Sequence, residues 1–262
     1  MASDLSSDVV LPRLGTAWIG RSYFFEPEVD STNTQLAEHA KRGATHGTVL
    51  VADTQTRGRG RFDRTWQSPV GQNLYFSVLL RPDWTVDARR PVSLAAGVAL
   101  AEAVEPLLPT SPELKWPNDL LSSGRKLAGI LVESAVDRQT IRHLVLGIGL
   151  NVNQQAFPEP IADLAGSLSL AAGRQFDRAE VLATVLGRLE VWVDRLHDDG
   201  PEPIVTRLCD YAPWMGKQIS VRNGEHELVG TALGIEPHGA LRLQDEQGEV
   251  HSIVSGDVLI AM

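Results

Sequence analysis

The sequence predicts an α+β fold: a larger domain of strands and helices, followed by a small all-β barrel. Three observations lead there. Residues 74–80 and 143–152 are short apolar runs of the kind found in buried strands. Residues 91–108 and 178–196 have helical character, the second with apolar side chains at Val181, Leu182, Val185, Leu186, Leu189, Trp192, Val193 and Leu196. After Pro213 the texture changes to short strand-like runs at 217–221, 227–235, 240–243, 249–254 and 257–260. Turns at Asn223-Gly224, Pro237-His238-Gly239 and Gln247-Gly248 separate them, as in a small barrel. The expected division is an irregular lead-in over 1–20, a catalytic domain over 21–212 and an SH3-like domain over 213–262.

The remaining elements follow in chain order. Residues 23–25 suggest a strand. Asp30-Ser31-Thr32-Asn33 offers several helix caps, with Gln35 three residues after Thr32 as in a capping box. Leu36, Ala37 and Ala40 give that helix an apolar side, and Gly43 ends it. Residues 48–52 are a β-branched, apolar strand. The helix at 91–108 is alanine-rich, with Pro91 tolerated in its first turn and Pro106 near its end. Residues 113–116 and 126–134 read as strands flanking a turn at 122–125. Gly147 and Gly149 interrupt the 143–152 strand, so a bulge or a ligand needs the room. Residues 201–211 form one more short helix.

Composition narrows the function. The chain has 262 residues, 43% of them hydrophobic, which is enough for a buried core. A net charge of −9 argues against general nucleic-acid binding. The lead-in is too short for a three-helix DNA-binding module. No apolar run is long enough to span a bilayer, and the polar first residues lack the pattern of a signal peptide. A single cysteine, Cys209, excludes an internal disulfide and a cysteine-based zinc site. A cytoplasmic location is expected.

Within this acidic chain, residues 57–66 (RGRGRFDRTW) place Arg57, Arg59, Arg61 and Arg64 within eight positions, interleaved with Gly58 and Gly60. Glycine weakens helices and strands, and clustered charge resists burial. The segment reads as a mobile cationic loop for an anion, most simply a phosphate. A solvated charge run or an arginine-glycine RNA-binding tract is the plainer reading, but such a tract repeats and this one occurs once. It is neither a P-loop nor a dinucleotide fingerprint, because no Gly-Lys-Ser/Thr follows and the glycines open no helix.

Three further stretches carry polar groups in unusual places. Asp30-Ser31-Thr32-Asn33 is a helix cap on the plain reading and a polar ligand site on the functional one. Lys115-Trp116-Pro117-Asn118-Asp119 precedes Gly124-Arg125-Lys126-Leu127-Ala128-Gly129-Ile130, which sets Lys126 at the head of an apolar strand. That lysine snorkels outward or serves an anion. Asp119 is a turn residue, a magnesium ligand or a partner for a lysine. The fourth stretch is Gly147-Ile148-Gly149-Leu150-Asn151-Val152-Asn153.

Taken together and in this order, these stretches resemble the biotin protein ligase family across most of residues 30–153. The final 50 or so residues are similar to its SH3-like domain in strand pattern only. The resemblance implies a mixed-sheet catalytic domain related to class II aminoacyl-tRNA synthetases. It implies a two-step reaction: biotin and ATP form biotinyl-5′-AMP, and the biotinyl group then passes to a lysine of a biotin carboxyl carrier domain, of the acetyl-CoA carboxylase type. By position, Ser31, Thr32, Asn33 and Gln55 match residues that hold biotin, and Arg59, Gly60 and Arg61 match the biotin and adenylate loop. Lys126 matches the lysine near the biotin carboxylate and the reacting phosphate. Gly129, Gly147 and Asn151 match contacts around biotin and the nucleotide, Trp66 an aromatic that meets the adenine, and Asn118 and Asp119 the nucleotide and Mg2+ side. Lys126, Arg59, Arg61 and Asp119 are thereby the expected catalytic groups. The short lead-in implies the monofunctional type without DNA binding, and a monomer or a homodimer fits the resemblance. Phe62-Asp63 stands where some members carry glycine or basic residues.

The residue chemistry agrees with this. A ureido ring wants paired donors and acceptors, which hydroxyls and amides supply. A carboxylate attacking a phosphate needs cations between two repelling anions. Two other readings remain open: a lipoate-type protein ligase, and a non-catalytic biotin-sensing module.

Overall fold

A computed structural model describes residues 3–82, 89–138 and 140–260. Residues 1–2 of the expected lead-in and 261–262 of the expected barrel lie outside them. The chain runs α1 (Ser7–Val10), β1 (Tyr23–Val29), α2 (Thr32–Lys41), β2 (Val49–Gln55), β3 (Leu74–Leu80), α3 (Arg89–Val104), β4 (Glu113–Lys115), β5 (Asp119–Ser122), β6 (Arg125–Asp137) and β7 (Thr140–Leu150). It continues through α4 (Leu168–Ala172), α5 (Arg178–Asp198), α6 (Glu202–Asp210), β8 (Gln218–Asn223), β9 (His226–Ile235), β10 (Leu241–Gln244), β11 (Val250–Ile253) and β12 (Asp257–Ile260).

Seven strands form one sheet in the order β1-β2-β3-β7-β6-β5-β4, and five form a second in the order β11-β10-β9-β8-β12. The first sheet is mixed: β1 and β2 run parallel, and the other neighbours antiparallel. The second is antiparallel throughout. This is the α+β architecture the sequence predicts.

Alternation along the central strands divides the large sheet into two faces. Leu74, Phe76, Val78 and Leu80 of β3 share one face with Leu144, Leu146, Ile148 and Leu150 of β7, and join the main core with residues of α3 and α5. Leu79 and Val145 face the other way and pack, with Leu50, under Leu36 and Ala40 of α2. Burial on both faces explains why β3, Ser77 apart, reads as an apolar run rather than an alternating one.

Several details differ from the sequence expectations. The expected capping box does not form. Ser31 is the N-cap without a side-chain cap bond, and Gln35 donates to Asp30 Oδ1 instead (3.0 Å). Thr32 lies inside the helix, and its N–H donates to Gln55 Oε1 (2.9 Å). The helix starting near residue 91 ends as α-helix at Val104 and finishes as a 3-10 turn over Glu105–Leu107. β5 and α4 were not legible, because Asp119–Ser122 and Leu168–Ala172 are too short for a periodic signal.

The lead-in holds α1 and a 3-10 turn, with Leu5, Val10 and Ile19 buried. Polar anchors fix it. The Glu190 carboxylate of α5 accepts the backbone N–H groups of Ala17, Trp18 and Ile19. Arg178 at the start of α5 joins Asp4 to Asp53 of β2 and donates to the Asn73 carbonyl.

Candidate active site

One cavity of about 440 Å³ gathers nearly every residue singled out in the sequence. Its floor is the α2-side face of β6 and β7. In register across the sheet, Gly129 pairs with Gly149 and Gly149 with Tyr75; Leu131 pairs with Gly147 and Gly147 with Ser77. Both glycines of β7 sit in regular register, so no bulge explains them. Side chains of the protein take the room. A Cβ on Gly147 would lie 2.1 Å from Asn33 Oδ1, and one on Gly149 would lie 2.4 Å from Trp66 Cε2. On Gly129 it would meet Trp66 Cζ3 at 3.0 Å and Lys126 Cε at 3.2 Å. Only a residue without a side chain lets these groups lie on the sheet.

A β-bulge decides where Lys126 points. Three positions separate Lys126 from Gly129, so in a regular strand they would face opposite ways. Leu121 pairs with Lys126 and Leu120 with Ala128, which leaves Leu127 as an extra residue in β6. The bulge turns Lys126 onto the face of Gly129. There Nζ lies 2.7 Å from Asp119 Oδ1, a charge contact outside hydrogen-bond alignment, and 5.4 Å from the centre of the Trp66 ring. The neighbouring segment is clamped: Lys126 donates its backbone N–H to Leu164, and Asn151 donates its amide to the Gly166 carbonyl (2.9 Å) and, at 3.4 Å, to that of Lys126.

One end of the cavity is neutral and rich in hydrogen bonds. Ser31, Thr32 and Asn33 are buried at the start of α2. Gln55 Oε1 accepts from Thr32, and Gln55 Nε2 donates to Ser68 Oγ (3.0 Å). Ser77 Oγ, fully buried in β3, lies 2.8 Å from Thr32 Oγ1 and donates to Asn33 Oδ1 (2.6 Å).

The other end is cationic. Residues 58–66 form a short hairpin: Gly60 N–H donates to Arg64 O (2.7 Å) and Trp66 N–H to Gly58 O (2.9 Å). Phe62 and Asp63 occupy the left-handed region at φ 55° and 57°, where a two-residue hairpin turn requires them. The hairpin sets its arginines on different partners. Arg59 pairs with Glu133. Arg61 donates to Asn118 Oδ1 (3.1 Å) and to Ser255 and Gly256 of the small sheet, with Asp257 at 3.8 Å. Arg64 also pairs with Asp257. Burial pulls the Arg61 guanidinium below its usual range, against the pull of Asp257 and Asp119. Asn118 is in turn fixed to β6, donating to Ile130 O (2.9 Å) and accepting from Ile130 N–H (2.9 Å).

Trp66 lies flat on the glycine floor. Its indole N–H is buried without a hydrogen-bond partner among the described residues. The structure therefore brings Ser31, Thr32, Asn33, Gln55, Arg59, Gly60, Arg61, Trp66, Asn118, Asp119, Lys126, Gly129, Gly147 and Asn151 to one cavity. Sequence reasoning missed Ser77, Ser68, Glu133 and Asp257. A serine inside the LYFSVLL run is a legible signal for the first. Asp257 comes from the second sheet and left no local signal.

Residues 25–151 match the biotin/lipoate A/B protein ligase family, and residues 215–260 the biotin protein ligase C-terminal domain. The bifunctional ligase/repressor BirA of Bacillus subtilis is 36% identical over 256 residues, 97% of this chain and 78% of that protein. The biotin–[acetyl-CoA-carboxylase] ligase of Mycobacterium tuberculosis is 35% identical over 94% of this chain and 90% of its own length. Among solved structures, the biotin protein ligase of Aquifex aeolicus in complex with biotin and ATP superposes with a TM-score of 0.79 at 33% identity, covering 91% of this chain and 98% of that one. The chain belongs to the biotin protein ligase family.

Proposed function

We propose that this protein is an ATP-dependent, AMP-forming biotin ligase that transfers biotin to a lysine of a carrier domain. The supporting observation is the polarity of the cavity: neutral donors and acceptors at one end, Lys126, Arg59 and Arg61 at the other, on one glycine floor. The hydroxyls and amides of Ser31, Thr32, Asn33 and Gln55 suit the ureido ring of biotin. Its tail then runs toward the cations. There a carboxylate oxygen attacks the α-phosphorus of ATP, the bond to pyrophosphate breaks, and biotinyl-5′-AMP forms. Lys126 and the loop arginines offset the repulsion between the two anions, which is the main barrier such a site must lower. In the second step the lysine amine of the carrier attacks the acyl carbon, the bond to the phosphate oxygen breaks, and AMP leaves. The hairpin over the cavity shields the mixed anhydride from water. The unpartnered Trp66 N–H calls for an acceptor oxygen, which a substrate supplies.

Mg2+ fits this site in a limited way. Two carboxylates line the cavity, Asp119 and Asp257, and Arg61 and Arg64 engage the second. Asp119 would hold the ion together with phosphate oxygens and water, in the manner of a nucleotide-bound magnesium. The ion would spread the negative charge of the phosphates. The carrier is a biotin carboxyl carrier domain, and the compartment is the cytoplasm. No helix among the described residues is long and apolar enough to cross a membrane.

The test uses the full chain with ATP, Mg2+ and biotin, then with a carrier domain added. Biotin-dependent pyrophosphate release and covalent carrier labelling are expected. Lipoate in place of biotin is the control, and turnover with lipoate alone would overturn the reading.

A further inference from the structure

The geometry points to Glu133 as a positioning residue that sets the donor–acceptor polarity of the Asn33–Ser77 wall. Through it Glu133 sets the preference for a cyclic urea over a ring without N–H groups. This rests on the ligase reading above. Glu133 stands on β6, two residues beyond the Leu131–Gly147 pair and opposite Val145. Its Oε2 accepts from Asn33 Nδ2 (2.8 Å) and from Arg59 Nη2.

A carboxylate can only accept, so it dictates which way the Asn33 amide turns. The NH2 group must face Glu133, and its weaker bond goes to Leu131 O (3.3 Å). The reversed amide would set Oδ1 against the carboxylate. Asn33 Oδ1 therefore points at Ser77, whose Oγ donates to it at 2.6 Å. Ser77 has a single hydroxyl hydrogen, and that bond uses it. Ser77 Oγ also lies 2.8 Å from Thr32 Oγ1, whose own hydroxyl donates to Gln55 Oε1 (3.3 Å). The floor holds this chain in place, because Gly147 leaves no room beneath Asn33.

Glu133, with the weaker help of Leu131 O, thus fixes the Asn33 amide and, through it, the Ser77 hydroxyl. Asn33 Oδ1, which lines the cavity, is left with a free lone pair, which suits a ring N–H group. A dithiolane ring offers that atom nothing, and leaving a buried polar group without a partner is what gives such sites their discrimination. With glutamine at 133 the side chain can donate as well as accept. Only the longer bond to Leu131 O then selects the orientation of Asn33, and the wall loses most of its fixed polarity.

The test is Glu133→Gln in the full chain, with steady-state pyrophosphate release measured for biotin and for lipoate. The biotin KM is expected to rise about tenfold, the cost of one mispaired buried hydrogen bond. The KM for ATP and all lipoate parameters stay within about twofold. Losing the hold on Arg59 would act on the carboxylate tail that both substrates share, so it would weaken both equally; only the polarity effect separates them. The double variant Asn33→Asp with Glu133→Gln exchanges the carboxylate and the amide, keeps an acceptor toward Ser77 while giving up the longer bond to Leu131 O, and should reverse part of the rise in biotin KM. Glu133→Ala is read by the same biotin-to-lipoate ratio if the glutamine variant does not fold. An unchanged biotin KM, an equal loss for both substrates, or a double variant no better than the single one overturns the assignment of Glu133. A wild-type protein that releases no pyrophosphate with biotin overturns the ligase reading instead.

Discussion

Gly149→Ala tests whether the glycine floor, rather than the charged loop, shapes the cavity. The new methyl group would lie 2.4 Å from Trp66 Cε2, 2.5 Å from Nε1 and 2.8 Å from Cζ2. Ordinary carbon contacts are about 3.5–4.0 Å, so something must yield by about 1 Å. The strand cannot: Gly149 is paired with Tyr75 on one side and Gly129 on the other, in the middle of a seven-stranded sheet. The indole must therefore lift into the cavity. Its backbone is tied to Gly58 but belongs to a half-exposed hairpin, so the strain falls at the low end of the roughly 1–3 kcal/mol typical of overpacking. For a chain of this size that lowers Tm by about 2–6 °C. The effect on activity is larger, because a displacement of about 1 Å in a positioning surface costs about 100-fold. The assay is biotin-dependent pyrophosphate release beside a thermal melt of the same preparation. The reasoning is refuted if kcat/KM for biotin stays within threefold of wild type, or if activity falls only as far as the folded fraction does.

Three further outcomes follow from the same coordinates. Lys126→Ala removes the cation 2.7 Å from Asp119 and should slow adenylate formation by about 10²–10³-fold in single-turnover measurements, with folding retained. Gly187→Ala lies inside α5 with nothing within 4 Å of the new methyl group; it should stabilise by about 0.5–1 kcal/mol and raise Tm by a few degrees without changing activity. Burial holds the imidazoles of His143 and His46 below their ordinary value of 6.5, helped at both by the nearby Arg81 charge. As pH falls through 6.5 the unfolded chain binds protons before the folded one, so stability is full above that pH and declines below it. Melting temperatures between pH 8 and 5 should show the decline, and His143→Gln should flatten it; a flat wild-type profile would contradict the burial of His143.

Legibility varied with range. α5 was readable because a long periodic pattern integrates many weak preferences, and β3 because a seven-residue, mostly apolar run marks a buried strand. Gly147 and Gly149 could be flagged as positions needing room, since glycine is costly in a strand without a reason. What filled the room could not be read. Asn33 and Trp66 approach β7 from distant parts of the chain. The capping box at Thr32 failed for the same kind of reason: Gln55, 23 residues away, competes for the helix N-terminus and wins.

From the linear chain alone came the chemical inventory: a cationic loop, a polar helix start, a strand lysine, and glycines that needed room in a strand. Those properties reside in residue type and close spacing, which local physics reads directly. Packing alone settled their arrangement. The extra residue at Leu127 reverses the facing of Lys126, and Asp257 arrives from a separate sheet to take Arg61 and Arg64. Strand register and contacts between sheets depend on the whole set of buried surfaces at once, so no single segment contains them.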